Sequence, residues 1–318
     1  MPSYAADLRA VREAAGRVAS WIHKTPVPTC ATLDRLSGRS LFFKCENLQK
    51  AGAFKFRGAS NAVLKLSAEI AARGVVTHSS GNHAQALALA ARLRGIPAHI
   101  VMPRTAAAVK RRAVLEYGAR VIDCEPNLSA RESTAAAVLA ETGGTLIHPY
   151  NNPDIIAGQG TVALELCEQV PGLDAVVAPV GGGGLVAGIC VALRELAPAI
   201  RIFAAEPKGA DDAARSKAAG TLIPQTSPNT IADGLLTSRG ELTWPLLRDR
   251  VERVITVSEE EIVAAMRLMW ERAKLLIEPS SAVAVAAVLS DEFRKLAGRG
   301  RVGVILSGGN ADLDRLPW

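Results

Sequence analysis

The chain has 318 residues, of which 49% are hydrophobic and 4% aromatic, and its formal net charge is +6. At this length a single core usually divides, so we expect a compact α/β protein with two lobes. The apolar runs are too short to cross a bilayer, no secretory signal is visible, and the basic residues are scattered without interleaved aromatics, so the composition predicts a cytoplasmic protein that binds neither membrane nor nucleic acid.

Short apolar runs alternate with helical patterns along the chain, as strands and helices alternate in a parallel α/β sheet. The predicted strands are 74–77, 98–102, 120–124, 175–180, 201–205 and 301–306. The predicted helices are 84–94, 107–117, 129–141, 185–196 and 259–272. Ligands of such sheets bind beyond the carboxyl ends of the strands, so the loops after the predicted strands are the candidate sites.

The first candidate site is a lysine among apolar neighbours. Lys55 lies between Phe54 and Phe56, with small residues on both sides. Such surroundings remove water from the charged amine and lower its pKa, so the neutral amine becomes available to form a Schiff base. A surface lysine beside apolar residues has the same local pattern, so this segment alone does not separate the two interpretations.

The second candidate site is a run of four glycines between a predicted strand and a predicted helix. The run consists of Gly181, Gly182, Gly183 and Gly184. Backbone amides at a helix N-terminus bind phosphate, whereas the ordinary alternative is a tight turn. Gly182, Gly184 and Ala187 also fit the dinucleotide fingerprint loosely, with Glu206 about 20 residues on as a ribose-binding acid, so an NAD-dependent oxidoreductase is a further alternative.

The third candidate site follows the predicted strand 74–77. Ser80 or Asn82 is placed to cap the next helix, and the free amides of that helix could hold a carboxylate. An ordinary capping turn is the alternative. A lone histidine such as His83 at a helix start is more often structural than catalytic.

Two further segments carry polar groups at strand ends. Ser307 and two glycines follow the last predicted strand, where a simple turn is the ordinary interpretation. Glu206 and Asp212 place carboxylates around a bend, which suits a hard cation with oxygen ligands. A solvated acidic loop explains the same residues.

Taken together and in this order, these segments resemble the fold type II pyridoxal-phosphate (PLP) enzymes, specifically the serine racemase and threonine/serine dehydratase family. The resemblance covers nearly the whole chain, from Lys24-Thr-Pro26 to Ser307-Gly-Gly-Asn310. The other matching motifs are Ile156-Ala-Gly-Gln-Gly-Thr161, Thr230-Ile-Ala-Asp-Gly234 and Leu276-Ile-Glu278-Pro-Ser280. The resemblance favours PLP over NAD, because the family accounts for Lys55, the glycine run and Ser307 together.

The resemblance implies a two-domain α/β fold similar to the tryptophan synthase β subunit. A large PLP-binding domain would comprise residues 1–74 and 150–318, and a small mobile domain would comprise residues 75–149. Closure of the small domain on the large one would exclude water from a reactive carbanion. The family also suggests a homodimer.

The resemblance implies a role for each candidate cofactor residue. Lys55 would carry the cofactor covalently and then remove the Cα proton of the substrate, while Phe54 would lie against the ring. The four glycines would bind the phosphate, Asn82 the 3-hydroxyl of the ring, and Ser307 the pyridine nitrogen. A neutral partner such as serine weakens the ring as an electron sink and so favours loss of a β-substituent, with the cofactor phosphate as the source of the proton for the leaving hydroxide.

The implied reaction is β-elimination from L-threonine or L-serine, which yields a 2-oxo acid and ammonia. Ser80 resembles the second acid/base of serine racemases, and Arg131 a racemase-like arginine near the substrate carboxylate, whereas Tyr150 resembles the dehydratases. Enzymes that act on threo-3-hydroxyaspartate carry the same serine and arginine, so racemisation and hydroxyaspartate dehydration stay open as alternatives. The implied substrate-binding residues are Ser79, Ser80, Asn82, His83, Arg131 and Tyr150.

The resemblance implies two further ligands. Glu206, the Ala210 carbonyl and Asp212 fall on the family's divalent-cation site, where Mg²⁺ or Ca²⁺ would be structural. A nucleotide site between subunits implies activation by ATP, although Ala51 departs from the usual threonine there. The residues that resemble this nucleotide site are Lys50, Lys110, Tyr117, Lys274 and Asn310.

Overall fold

A computed structural model describes residues 4–106, 108–297 and 300–318, so Ala107 of the predicted helix 107–117 lies outside the described residues. The strands in these ranges are β1 (Ser40–Cys45), β2 (Val75–His78), β3 (Ala98–Pro103), β4 (Arg120–Cys124), β5 (Thr145–Leu146), β6 (Ala175–Pro179), β7 (Arg201–Pro207), β8 (Arg253–Val257) and β9 (Arg301–Leu306). Among the described helices, none is both long and apolar enough to span a membrane.

The α-helices of the same ranges alternate with these strands. They are α1 (Leu8–Val18), α2 (Ala31–Ser37), α3 (Lys55–Lys65), α4 (Ala68–Ala72), α5 (Asn82–Arg94), α6 (Ala108–Glu116), α7 (Leu128–Thr142), α8 (Pro153–Gln169), α9 (Gly184–Leu196), α10 (Asp212–Ala219), α11 (Trp244–Arg250), α12 (Glu259–Leu268), α13 (Pro279–Leu289) and α14 (Asp291–Ala297). A π-helical turn, Met269–Ala273, follows α12. The predicted helix 259–272 thus covers α12 and this π-helical turn, which together end at Ala273.

The strands form two parallel sheets. One has five strands in the order β1-β9-β6-β7-β8, and the other has four in the order β4-β3-β2-β5. The strands of the smaller sheet come from the stretch between Val75 and Leu146, which interrupts the larger sheet. The α/β class with parallel sheets is thus confirmed, while the domain boundaries at 74/75 and 149/150 stay predictions.

The larger sheet is covered on both faces, which is why its central strands are apolar throughout. All five residues of β6 are buried. Ala175 and Val177 pack in the cluster that contains α13, whereas Val176 and Ala178 pack in the cluster of α8 and α9. This alternation buries a continuous apolar run without exposing either side of it.

Helices α3, α8 and α9 pack closely against one another at glycines. A Cβ added to Gly158 of α8 would lie 2.6 Å from the Cα of Gly58 in α3. A Cβ added to Gly188 of α9 would lie 2.5 Å from the backbone nitrogen of Gly160 in α8. Helix α3 also packs against α5, a helix that contacts strands β2 and β3 of the smaller sheet. The glycines therefore set the positions of α3 and α9, the two helices that begin at the candidate site.

Candidate active site

Lys55 is the first residue of α3 and lies beside the carboxyl end of β9. The backbone nitrogen of Phe54 donates to the carbonyl of Ser307 at 3.0 Å, and Ala53 forms a bridge with Gly308. Ser307 itself directly follows β9 and is 3% exposed. The fold thus brings Phe54 and Lys55 together with Ser307, which is far from them in the sequence.

The amine of Lys55 is desolvated and lacks a counter-ion. Its Nζ donates to the carbonyl of Pro149 at 2.9 Å and lies 5.2 Å from the ring centroid of Phe54. Within the described residues, the structure gives this amine no carboxylate partner. Burial lowers the pKa of Lys55 to about 8, so a substantial fraction of the amine is neutral at mildly alkaline pH.

The four glycines connect β6 to α9, as predicted. Gly183 has a φ of +90°, and Thr243 fixes the loop by donating from Oγ1 to the carbonyl of Gly182 at 2.8 Å. A Cβ on Gly182 would lie 2.2 Å from the ring of Tyr150. The glycines are thus needed for packing, and they leave the first amides of α9 as the donors that a phosphate requires.

The segment between β2 and α5 differs from the capping prediction. The residue before α5 is Gly81, and the helix start has no side-chain cap, so the prediction that Ser80 or Asn82 caps it was wrong. Asn82 is instead the first helical residue, and its side chain is occupied elsewhere. The backbone nitrogen of Gly81 donates a weak hydrogen bond to Oγ of Ser79 at 3.4 Å. The open turn leaves the first amides of α5 without a side-chain partner.

Asn82 forms a small network with two residues from the carboxyl-terminal half. Its Nδ2 donates to Oε1 of Glu278 at 2.7 Å, and its Oδ1 accepts from Nδ2 of Asn310 at 2.9 Å. Glu278 is buried, and burial raises its pKa to about 7. We did not single out this carboxylate as a site residue, although it lies within one of the matching motifs.

Three histidines surround the same region and are neutral at neutral pH. His148 Nδ1 accepts from the backbone nitrogen of Asn151 at 2.9 Å, and burial lowers its pKa to about 4. His83 is buried and donates from Nε2 to the carbonyl of Ile147 at 3.0 Å, and burial holds its pKa well below the usual range. His78 lies 5.5 Å from His148 between ring centroids. These contacts agree with a structural His83, and His78 and His148 were missed because isolated histidines carry no pattern.

The remaining predicted substrate residues lie at different depths around this cluster. The ring of Tyr150 lies edge-on to His148 at 4.6 Å, and burial raises the pKa of its hydroxyl. Arg131, in the first turns of α7, is half-buried and its charge helps to lower the pKa of His78. Ser80 is also half-buried. The positions of Tyr150 and Arg131 near the histidines agree with a substrate pocket, whereas the role of Ser80 stays a prediction.

The predicted cation site contains an arginine. Glu206 is the second-last residue of β7, and Asp212 is the first residue of α10. The Arg239 guanidinium forms ion pairs with both carboxylates. The residues therefore do not fit a metal ion while Arg239 lies between them. Arg239 was missed because its partners lie in distant segments of the sequence.

Two of the residues implied in nucleotide binding are engaged within the chain. Lys110 forms an ion pair with Asp233, and Asn310 donates to the carbonyl of Ala51 at 2.9 Å in addition to its bond with Asn82. Lys274 follows the π-helical turn with a left-handed backbone, φ +59°. These contacts leave the nucleotide prediction untested.

The chain matches known proteins over almost its full length. Residues 18–308 match the family model described as "Pyridoxal-phosphate dependent enzyme". The chain is 56% identical to the serine racemase of Arabidopsis thaliana, and the match covers 98% of this chain and 96% of that protein. It is 53% identical to the beta-hydroxyaspartate dehydratase of Paracoccus denitrificans, with 100% of this chain and 99% of that protein covered. The solved structure of maize serine racemase superposes with a TM-score of 0.97 at 52% identity, covering 98% of this chain and 95% of that one.

Proposed function

The chain belongs to the pyridoxal-phosphate dependent enzyme family, and we propose that it eliminates the hydroxyl group of a small β-hydroxy amino acid such as L-threonine or L-serine. The substrate loses one water molecule, which is formed from the Cα proton and the Cβ hydroxyl. One water molecule is taken up again when the amino group is released as ammonia. The net products are a 2-oxo acid and ammonia.

The observation that carries this proposal is the state of the Lys55 amine. Lys44, a second buried lysine, is paired with Glu165 at 2.6 Å, and this pairing opposes the lowering of its pKa by burial. Among the described residues, Lys55 contacts the Pro149 carbonyl and the Phe54 ring but no carboxylate that would compensate its positive charge. A desolvated amine without a counter-ion favours its neutral form, which is the form that bonds to an aldehyde.

The residues around Lys55 fit the cofactor. When bound, PLP withdraws electrons from the Cα of the amino acid. We assign Lys55 to hold the cofactor and to remove the Cα proton, the four glycines with the first amides of α9 to bind the phosphate, and Ser307 to meet the pyridine nitrogen. Phe54 would pack against the ring, and Asn82 would serve the 3-hydroxyl.

The substrate would bind between the cofactor and the segment that precedes α5. We assign the substrate carboxylate to the open start of α5 and to its flanking residues, since unpaired amides bind anions there. Arg131 would lie near the substrate carboxylate, and Tyr150 would also contact the substrate. The residues in this proposal are Ser79, Ser80, Asn82, His83, Arg131 and Tyr150.

Two alternatives have specific support. Racemisation is favoured by Ser80 and by the relatives named serine racemase. Elimination from threo-3-hydroxyaspartate is favoured by Arg131, whose charge would suit a second carboxylate, and by the relative named beta-hydroxyaspartate dehydratase. An NAD-dependent oxidoreductase is disfavoured, because Glu206 is buried and accepts from the backbone nitrogens of Ala213 and Ala214, which leaves no free oxygen pair for a ribose.

Closure of residues 75–149 on the rest of the chain, a homodimer, a cytoplasmic location and activation by ATP are further proposals. They rest on the family resemblance. Lys110 and Asn310 would have to leave their present partners to contact a nucleotide, which makes ATP the weakest supported of the four.

The cofactor test is spectroscopic. Purified protein with PLP should show a visible absorption band that disappears in Lys55→Ala. Lys65→Ala removes an exposed lysine from the same helix and should retain the band. A colourless wild type that takes up no PLP, or a band that survives in Lys55→Ala, would refute the proposal.

The substrate test compares three amino acids. Release of the 2-oxo acid is measured with L-threonine, L-serine and threo-3-hydroxyaspartate, together with chiral analysis of the serine that remains. Ser80→Ala should abolish racemisation while it spares elimination from L-serine. Equal loss of both activities would contradict the role assigned to Ser80.

A further inference from the structure

The Arg239 side chain lies in an enclosed position between two acidic side chains. Arg239 belongs to the loop between the 3₁₀ turn Asp233–Leu235 and α11. The side chains of Arg239 and Glu206 have no solvent-exposed area, and that of Asp212 is 1% exposed. A charge in such a place must be compensated nearby, because burial of an unpaired charge is strongly unfavourable.

The contacts show how the charges compensate each other. Nη1 of Arg239 lies 3.4 Å from Oε2 of Glu206, and Nη2 is paired with Oδ2 of Asp212. Glu206 also accepts from the backbone nitrogens of Ala213 at 3.1 Å and Ala214 at 2.6 Å, at the start of α10. The planar guanidinium presents several N–H groups in fixed directions, so one side chain can bond to both acids.

A divalent cation would need what Arg239 already uses. Mg²⁺ requires six oxygen ligands and Ca²⁺ six to eight, supplied mostly by carboxylates, carbonyls and water. Glu206 and Asp212 are the two carboxylates of the predicted site, and both are already paired with the guanidinium. A metal ion between Glu206 and Asp212 would also lie next to the positively charged guanidinium, and no solvent would screen the repulsion between the two cations.

We propose that the Arg239 guanidinium is the resident cation of this site and that the folded protein binds no divalent cation there. The guanidinium joins the end of β7 to the start of α10, as a bridging metal ion would. The inference does not depend on which amino acid is the substrate.

The position of Arg239 also ties this site to the glycine loop. The next residue, Gly240, donates from its backbone nitrogen to the carbonyl of Gly182 at 3.3 Å, and Thr243 donates to the same carbonyl. Arg239 therefore acts as a positioning residue, since it anchors the segment that fixes the glycines.

The first experiment uses the wild-type holoenzyme. After equilibration with millimolar Mg²⁺, Ca²⁺ or Mn²⁺ and gel filtration into metal-free buffer without chelator, elemental analysis should find no stoichiometric divalent ion. The melting temperature should then be the same with and without millimolar Mg²⁺ or Ca²⁺ at equal ionic strength. One bound divalent ion per chain, or a rise in melting temperature that saturates with either ion, would overturn the inference.

The second experiment removes the guanidinium. In chelated buffer, Arg239→Leu should melt roughly 5–15 °C below wild type, because two buried carboxylates lose their cation. Millimolar Mg²⁺ or Ca²⁺ should restore a large part of this loss, whereas NaCl at equal ionic strength should not. A loss that divalent ions leave unchanged would show that the guanidinium does not stand in for a metal ion.

Two variants keep the test decisive. Arg215→Leu removes a half-buried arginine that pairs with Asp211 in the same segment, and it should leave the melting temperature insensitive to metal ions. If Arg239→Leu does not fold, the triple variant Arg239→Leu/Glu206→Gln/Asp212→Asn removes all three charges. It should fold and melt independently of metal ions. Failure of this neutral variant to fold would overturn the view that charge compensation is the function of Arg239.

Discussion

At the scale of single residues, the site depends on how each buried charge is compensated. Lys44 is fully enclosed, yet Glu165, Gln169 and the Thr25 carbonyl all accept from its amine within 2.9 Å. Lys55 has one carbonyl and an aromatic face. Lys44 is therefore paired within the fold, whereas Lys55 has no carboxylate partner among the described residues.

The first prediction concerns the pH dependence of cofactor uptake. Since burial lowers the pKa of Lys55 to about 8, the fraction of neutral amine rises about tenfold per pH unit well below that value and levels off above about pH 9. The rate at which the apoprotein acquires the visible band should follow the same curve. Stopped-flow absorbance between pH 6 and pH 10 measures it.

Pyridoxal, which lacks the phosphate, is the control for this prediction. It should give a profile with the same midpoint at a lower rate, because the second pKa of the phosphate, about 6, lies well below the midpoint set by the amine. A midpoint near the ordinary lysine pKa of about 10.4 would show that Lys55 is not desolvated in solution.

The second prediction concerns Glu278. Burial raises its pKa in the folded protein to about 7, above the value of about 4.3 for an unfolded glutamate. Between these values the folded protein binds more protons than the unfolded chain, so the free energy of unfolding decreases as the pH rises through this window. Glu278→Gln keeps an acceptor for Asn82 and should remove this decrease. Urea unfolding at intervals from pH 5 to pH 8 measures it.

The matched control for Glu278→Gln is Glu292→Gln. Glu292 is partly exposed and pairs with Arg253 on the surface, so its replacement should leave the pH dependence of the wild type in place. Parallel curves for wild type and Glu278→Gln would mean that the carboxylate of Glu278 is ionised at the same pH in both states.

At the scale of elements, glycines determine how closely α3, α8 and α9 pack. Gly188→Ala would place a Cβ 2.5 Å from the backbone of α8, so α9 and its glycine loop must shift relative to α3. We expect a loss of stability of about 1–3 kcal/mol. We also expect kcat to fall by about tenfold or more, because Lys55 and the phosphate loop separate. Chemical denaturation and the 2-oxo acid assay measure the two effects.

Gly16→Ala is the matched control for this substitution. Gly16 lies in α1, and a Cβ there would meet nothing within 4 Å. Alanine should stabilise the protein by about 0.5–1 kcal/mol through helix propensity and leave kcat unchanged. A neutral Gly188→Ala would show that the helices can separate without cost.

The sequence predicted six strands to within two residues at each end and the positions of Lys55, the glycine loop and Ser307. The sequence did not predict β1, because this strand ends in Lys44-Cys45 before an acidic residue, a pattern that is typical of a surface segment. Lys44 becomes an interior residue only through Glu165, far away in the sequence. It also missed α8, whose glycines lower helix propensity but permit its close packing. Tertiary contacts of this kind leave no local pattern.

The candidate site was predicted in part for the same reason. Lys55 and the glycine loop follow local rules for desolvation and anion binding. Arg239 and the histidine cluster depend on which segments meet in space. The missing cap of α5 depends on Gly81, which has no side chain and takes the cap position expected for a serine or asparagine. Local sequence thus predicts the groups that act on their own and misses the groups that act through partners.

At the scale of the whole molecule, two sheets flank the region of Lys55. If residues 75–149 close on the remainder, a ligand without a leaving group, such as L-alanine, should slow amide hydrogen exchange in α5 and α7. Exchange in β6 and β7, which lie in the middle of the larger sheet, should stay unchanged. Hydrogen exchange followed by mass spectrometry on the holoenzyme measures this. Equal protection of both regions, or none in 75–149, would contradict closure.

Helix α3 packs against α5 of the smaller sheet and against α8 of the larger one. A rotation of one sheet relative to the other about α3 would move each atom in proportion to its distance from that helix. Lys55, at its first turn, would travel least, and atoms at the outer edge of the smaller sheet would travel most. If closure takes this form, the Lys55 amine would lie near the pivot, and the pocket would admit and release a substrate while the proposed bond between lysine and cofactor stays almost stationary.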